Sequence, residues 1–135
     1  MNHIRANGLD FAYLDEGTGP LVMLLHGFPD TAQTWSHQIS ALAAAGYRVA
    51  APYLRGYYPS EIPRDGFYDK ATLAMDIAEM IRALGGGKPV HLVGQDWCHR
   101  AWCATCRHQG RAGNVSRRRG EAADLSGPQF GHHHR

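Results

Sequence analysis

The residues best suited to chemistry lie in Val90-His91-Leu92-Val93-Gly94-Gln95-Asp96-Trp97-Cys98. A short apolar run ends there in a small-x-acid-x-small pattern. This is the pattern of a buried strand entering a sharp turn, with one carboxylate held proud of the strand end before a helix begins. Such a turn drives its central residue into strained backbone geometry, and strand and helix approach closely only if the residues two before and two after it are small. Gly94 satisfies that demand, and Cys98 does so less well. Taken alone, an aspartate in this place is an N-cap whose oxygens take up free N–H groups of the following helix. The alternative is a carboxylate presented for reaction, and the upstream residues decide between the two.

Two further clusters follow apolar strands. Leu21-Val22-Met23-Leu24-Leu25 is unbroken hydrocarbon, as in a parallel strand covered on both faces, and His26-Gly27-Phe28-Pro29 comes directly after it. Arg48-Val49-Ala50-Ala51 reads as a short strand, with Arg55-Gly56-Tyr57 just beyond. The elements that must position these clusters are legible from periodicity. Residues 9–15 alternate apolar and polar side chains and predict a half-exposed strand closed by the turn Glu16-Gly17-Thr18-Gly19-Pro20. Trp35, Ile39 and Leu42 mark an amphipathic helix that starts after Pro29-Asp30-Thr31 and ends at Gly46. The Gly-, Pro- and Tyr-rich stretch over residues 52–66 predicts a surface loop. A second helix runs through Leu73, Ile77, Met80, Ile81 and Leu84, with Asp69 near its N-cap and Gly85-Gly86-Gly87 ending it. Strands alternating with helices imply parallel strands joined by right-handed crossovers, with the functional loops at their carboxyl ends.

His26-Gly27-Phe28-Pro29, Arg55-Gly56-Tyr57 and Gly94-Gln95-Asp96-Trp97, in this order and each after a strand, resemble the α/β-hydrolases of the epoxide hydrolase group, relatives of the haloalkane dehalogenases. The resemblance covers roughly residues 1–97. It implies an α/β fold, here the N-terminal portion of a mainly parallel sheet with flanking helices. It also implies that Asp96 is a nucleophile opening an epoxide, or displacing a halide, to give an alkyl ester. A carboxylate suits attack at saturated carbon because its ester can later be split by water at the carbonyl, whereas serine would leave a stable ether. The backbone N–H groups of Phe28 and Trp97 would form the oxyanion hole of that second step, and both side chains would wall the substrate pocket. By the same resemblance Phe28-Pro29 is cis, His26 is a structural residue that holds its loop, and Gly27, Pro29, Arg55, Gly56 and Gly94 shape the turns. Tyr53 stands where many relatives have aspartate, and His91 is read as packing.

The family also draws a water-activating histidine and an orienting acid from loops after later strands, together with a helical cap whose tyrosines protonate the opening epoxide. None of these is recognisable in the sequence. His99 and His108 follow Asp96 too closely to return from a later strand, and His132-His133-His134 has no strand to carry it. The expectation is a partial hydrolase core at 1–106 that does not turn over alone and whose last strand leaves an open edge prone to aggregation. Residues 107–135 form an Arg-, Gly- and His-rich tail with the composition of a disordered segment. A shift of reading frame near codon 106 is one origin for it, since codons displaced by one nucleotide are compatible with Ala-Ala-Ile-Arg-Ala-Glu-Arg-Val.

Composition sets the remaining bounds. Acids exceed bases in residues 1–97, while arginines dominate after them, and all three cysteines (Cys98, Cys103, Cys106) lie in the basic part. Thiols clustered this closely are not a disulfide framework, and with no apolar run of membrane length and no secretory leader the expected compartment is the cytoplasm. Neither metal nor cofactor is required by the chemistry of the resemblance. A different class of function is a zinc module built on Cys98, Cys103, Cys106 and His108, although its ligands are more tightly bunched than in structural zinc sites. Nucleic-acid binding through Arg117-Arg118-Arg119 is less favoured than a solvated tail, because no aromatic residues interleave the charges. Expected partners are thus a small apolar epoxide or halogenated substrate, with neither nucleic acid nor membrane.

Overall fold

The computed structural model describes residues 1–96. Five strands form one mixed sheet: β1 (Asn2–Ala6), β2 (Leu9–Glu16), β3 (Leu21–Leu25), β4 (Arg48–Pro52) and β5 (His91–Gly94), in the order β1-β2-β4-β3-β5. β3 pairs in parallel with both β4 and β5, whereas β1–β2 and β2–β4 are antiparallel. A 3₁₀ turn (Ala32–Trp35) leads into helix α1 (Ser36–Ala44), and helix α2 (Lys70–Gly85) connects β4 to β5.

Hydrocarbon patterning explains the layers. Alternate residues of β3 point to opposite faces: Leu21, Met23 and Leu25 join Leu73, Ile77 and Met80 of α2, while Val22 and Leu24 join Trp35 and Ile39 on the other side. Since β3 is covered on both faces, it has no polar position to spare. The chain leaves β3 in one direction to make β4, then returns past it to make β5. Right-handed crossovers in opposite directions put α1 and α2 on opposite faces and open a crevice at the carboxyl ends of β3 and β5. Asp69 caps α2, accepting from the Thr72 N–H at 3.0 Å, and Gly86 ends it in the left-handed conformation (φ 58°).

Three local readings need revision. β1 is an additional strand, formed because the Asn7-Gly8 turn (φ 47° and 79°) folds it back onto β2. β2 is largely buried rather than half-exposed: Phe11 and Tyr13 face α2 while Ala12 faces the α1 layer, so its apparently alternating face is also covered. The segment after β4 is no surface loop at its start. Tyr53, Leu54, Arg55 and Ser60 are buried because it folds back along β2: the Ala12 N–H donates to Ser60 Oγ at 2.9 Å and the Glu61 N–H to the Asp10 carbonyl at 2.8 Å. No helix among the described residues is long and apolar enough to cross a membrane. Trp97, the Cys/His cluster at 98–108 and the tail lie outside the described residues.

Candidate active site

Asp96 stands two residues beyond the end of β5, exposed, with φ at 55°. A non-glycine residue in the left-handed region costs on the order of 1–3 kcal/mol and persists only where its surroundings over-determine it. The neighbouring turn after β3 supplies those surroundings. The Gln95 N–H donates to the Leu25 carbonyl at 3.2 Å, carrying the β3–β5 ladder one step past the strand ends. Gln95 Nε2 donates to Asp30 Oδ2 at 2.8 Å. Between these two ties lies Gly27, where a Cβ would fall 2.6 Å from the Asp96 Cβ and 3.0 Å from the Gln95 carbonyl oxygen. Only hydrogen at that position lets the turn bearing Phe28 close onto the acid. Phe28-Pro29 is cis, and Phe28 is 71% exposed.

His26 is buried beneath this turn. Its Nε2 accepts from the Leu54 N–H at 3.1 Å, so the ring proton sits on Nδ1 and is donated to the Gly27 carbonyl at 3.1 Å. Burial pushes its pKa below the ordinary value, only partly opposed by the Gly27 carbonyl and by Asp30, so the imidazole is a neutral strut. Tyr57 meets the ring edge-on at a centroid distance of 4.6 Å.

Arg55 fixes the second loop. Its guanidinium is 2% exposed and makes a bidentate contact with Asp76 of α2, Nε to Oδ2 at 2.6 Å and Nη2 to Oδ1 at 2.9 Å, while Nη1 donates to the Phe67 carbonyl at 2.6 Å. Hydrogen bonding to Asp76 holds the Arg55 pKa above even its usual high value. Asn7 Nδ2 also donates to Asp76, at 2.8 Å, so one carboxylate joins the β1–β2 turn, the helix and the loop. Gly56 (φ 79°) lies under the Tyr68 ring, whose Cε1 would be 2.6 Å from an added Cβ. A cavity of about 250 Å³ beside the turn is lined by Gly27, Phe28, Leu54, Tyr57, Tyr68 and Leu73 among others. His91 packs edge-on against Tyr47, and Tyr53 Oη accepts from Gln33 Nε2 at 3.1 Å.

The structure thus brings Gly27, Phe28, Pro29, Gly94 and Asp96 together, with His26, Arg55 and Gly56 behind them as supports. Asp76, Asp30 and Gln95 escaped the sequence reading. Asp76 had left a trace, an acid three residues after Leu73 and four before Met80 on the apolar stripe of α2. The Asp30–Gln95 contact had none, since the two residues are 65 positions apart. Among the described residues, no group of three or more His, Cys, Asp or Glu side chains is arranged to hold a metal ion.

A family model of the α/β hydrolase fold matches residues 20–98. The chain belongs to the α/β-hydrolase family. Within it, the chain is 42% identical over 103 residues to an epoxide hydrolase of Caballeronia sordidicola, covering 75% of this chain and 31% of the relative. It is 41% identical over 95 residues to epoxide hydrolase 3 of Siraitia grosvenorii, covering 70% and 30% of the two chains. Among solved structures, an epoxide hydrolase from Vigna radiata superposes with a TM-score of 0.75 at 38% identity, over 81% of this hydrolase chain and 35% of its own. The chain therefore spans about a third of the length of these relatives.

Proposed function

We propose that this α/β-hydrolase segment carries the nucleophile and part of the oxyanion hole of an epoxide hydrolase. The supporting observation is Asp96, exposed just beyond β5 and held in the left-handed region against Gly27. An Asp96 carboxylate oxygen attacks an epoxide carbon, forming an ester C–O bond as the ring C–O bond breaks. The ring oxygen leaves with the electron pair and takes up a proton to become a hydroxyl. Water then adds to the ester carbonyl of Asp96, and the oxyanion is held by the N–H groups of Phe28 and Trp97 before the diol departs. The cavity lined by Phe28, Leu54, Tyr57, Tyr68 and Leu73 suits an apolar substituent. The epoxide hydrolases named above support this reading over displacement of a halide.

A polypeptide of these 135 residues is expected to stop at the ester. His99 and His108 are too near Asp96 in sequence to serve as the water-activating base, whose loss alone costs about 10²–10⁴-fold. Incubation with styrene oxide followed by intact-mass and peptide analysis tests the proposal. One persistent adduct on Asp96, absent from Asp96→Asn, is the expected result. An unmodified Asp96 overturns it, whether or not the thiols of Cys98, Cys103 and Cys106 take label, and modification of Asp96 by 1-chlorohexane but not by styrene oxide would shift the reading to dehalogenation.

A further inference from the structure

The strain at Asp96 needs a counterweight, and the backbone ladder supplies only part of it. β3 and β5 stop pairing at Leu25 and Gly94, and beyond that register a single main-chain hydrogen bond, Gln95 N–H to the Leu25 carbonyl, continues the ladder. Past that point one turn carries Phe28 and the other Asp96, in close approach at Gly27. The next tie between them is made by side chains: Gln95, immediately before the strained acid, reaches Asp30, immediately after the cis Phe28-Pro29 unit. The clamp thus closes around Gly27, whose missing Cβ allows the approach. An amide donor on a carboxylate is a directed, charge-assisted contact, so it specifies a geometry as well as an attraction.

We propose that Asp30 and Gln95 are a positioning pair, whose side-chain hydrogen bond locks the turn after β3 to the turn after β5 and thereby sets the Asp96 carboxylate relative to the Phe28 N–H. The inference deepens the reading of Asp96 as nucleophile and rests on it for its kinetic consequence. Displacement of a reacting group by about 1 Å costs on the order of 10²-fold in rate. A clamp that removes such freedom is therefore visible in the rate of alkylation even though neither member touches substrate.

The test reverses the polarity of the pair. Gln95→Glu sets two carboxylates against each other and should slow adduct formation with styrene oxide by about tenfold or more. Adding Asp30→Asn restores a hydrogen bond with donor and acceptor exchanged, and the double variant should return to within about threefold of the parent rate. The double variant still carries the introduced carboxylate next to Asp96, so an equally slow double variant would mean that this added charge, not the lost clamp, is responsible, and the pair is then rejected. Gln95→Glu reacting at the parent rate rejects it as well. Amide hydrogen exchange at Phe28 and at position 95 reads the clamp without chemistry: it should quicken in Gln95→Glu and recover in the double variant, at unchanged far-ultraviolet dichroism. Unaltered exchange overturns the pair whether or not the protein is alkylated. The expected exchange pattern in a chain that takes no adduct would uphold the clamp and sink only the nucleophile assignment.

Discussion

Two polar contacts fasten loops at the carboxyl end of this sheet, and they work under opposite conditions. Arg55–Asp76 is out of solvent, 2% and 1% exposed, with both carboxylate oxygens engaged. Asp30–Gln95 is a single hydrogen bond at the surface, beside the acid expected to react. Burial removes water as a competing partner, so losing Asp76 leaves the buried Arg55 guanidinium with only the Phe67 carbonyl and the half-exposed Asp65, 3.8 Å away. Water replaces either member of the second at little cost. Stability should therefore be concentrated in the buried pair, and precision of placement in the pair next to Asp96.

The largest effect should come from breaking the buried pair. Asp76→Ala is expected to lower stability by about 3–5 kcal/mol in urea unfolding, because Arg55 loses its bidentate buried partner and keeps only the more distant, half-exposed Asp65, while Asn7 loses its acceptor. A loss below about 1 kcal/mol would mean that solvent reaches Arg55 and that the contrast is false. Gly27→Ala tests the other side, since its methyl group would lie 2.6 Å from the Asp96 Cβ. Adduct formation should fall by about 10²-fold, with a stability loss of about 1–3 kcal/mol from overpacking. An unaffected alkylation rate would show that the turn need not close on the acid.

His26 links the two regions, and its prediction is a pH slope. Its folded-state pKa is depressed by burial, so the unfolded chain binds the proton more readily. The stability it contributes is complete above the ordinary value of 6.5 and is lost as pH falls below that value toward the folded pKa, by at most about 1.4 kcal/mol per pH unit. Unfolding midpoints measured from pH 7 to pH 5 should show this slope, and His26→Gln, which cannot take the charge, should flatten it. The smallest change is expected from Asp69→Ala, which removes the exposed cap of α2: a slight drop in thermal midpoint at neutral pH, with no change in adduct formation. A large kinetic effect there would mean that α2 communicates with the crevice through Arg55.

Much of this architecture was legible in the residues. Both helices, the cap at Asp69, the stop at Gly86 and the strands around Val22, Val49 and Leu92 follow from periodicity and local conformational preference, which neighbouring residues determine. The resemblance carried by His26-Gly27-Phe28-Pro29 and Gly94-Gln95-Asp96-Trp97 located the candidate site within the described core. β2 misled because alternation reports which face a strand buries only when the other face is wet, and here the opposite face is covered as well. The loop after β4 misled because Gly, Pro and Tyr signal irregular backbone, not exposure, and hydrogen bonds to the backbone of Asp10 and Ala12 draw it inward.

The sequence by itself determined where the chain bends, which residue types stand at the strand ends, and that a carboxylate is available there. Only the tertiary structure decided that Asp96 meets Gly27, that Asp76 faces inward to meet Arg55, and that Asp30 and Gln95 touch. These are relations between segments distant along the chain. Their energies come from desolvation and close approach, quantities that exist only once the sheet has brought the turns together.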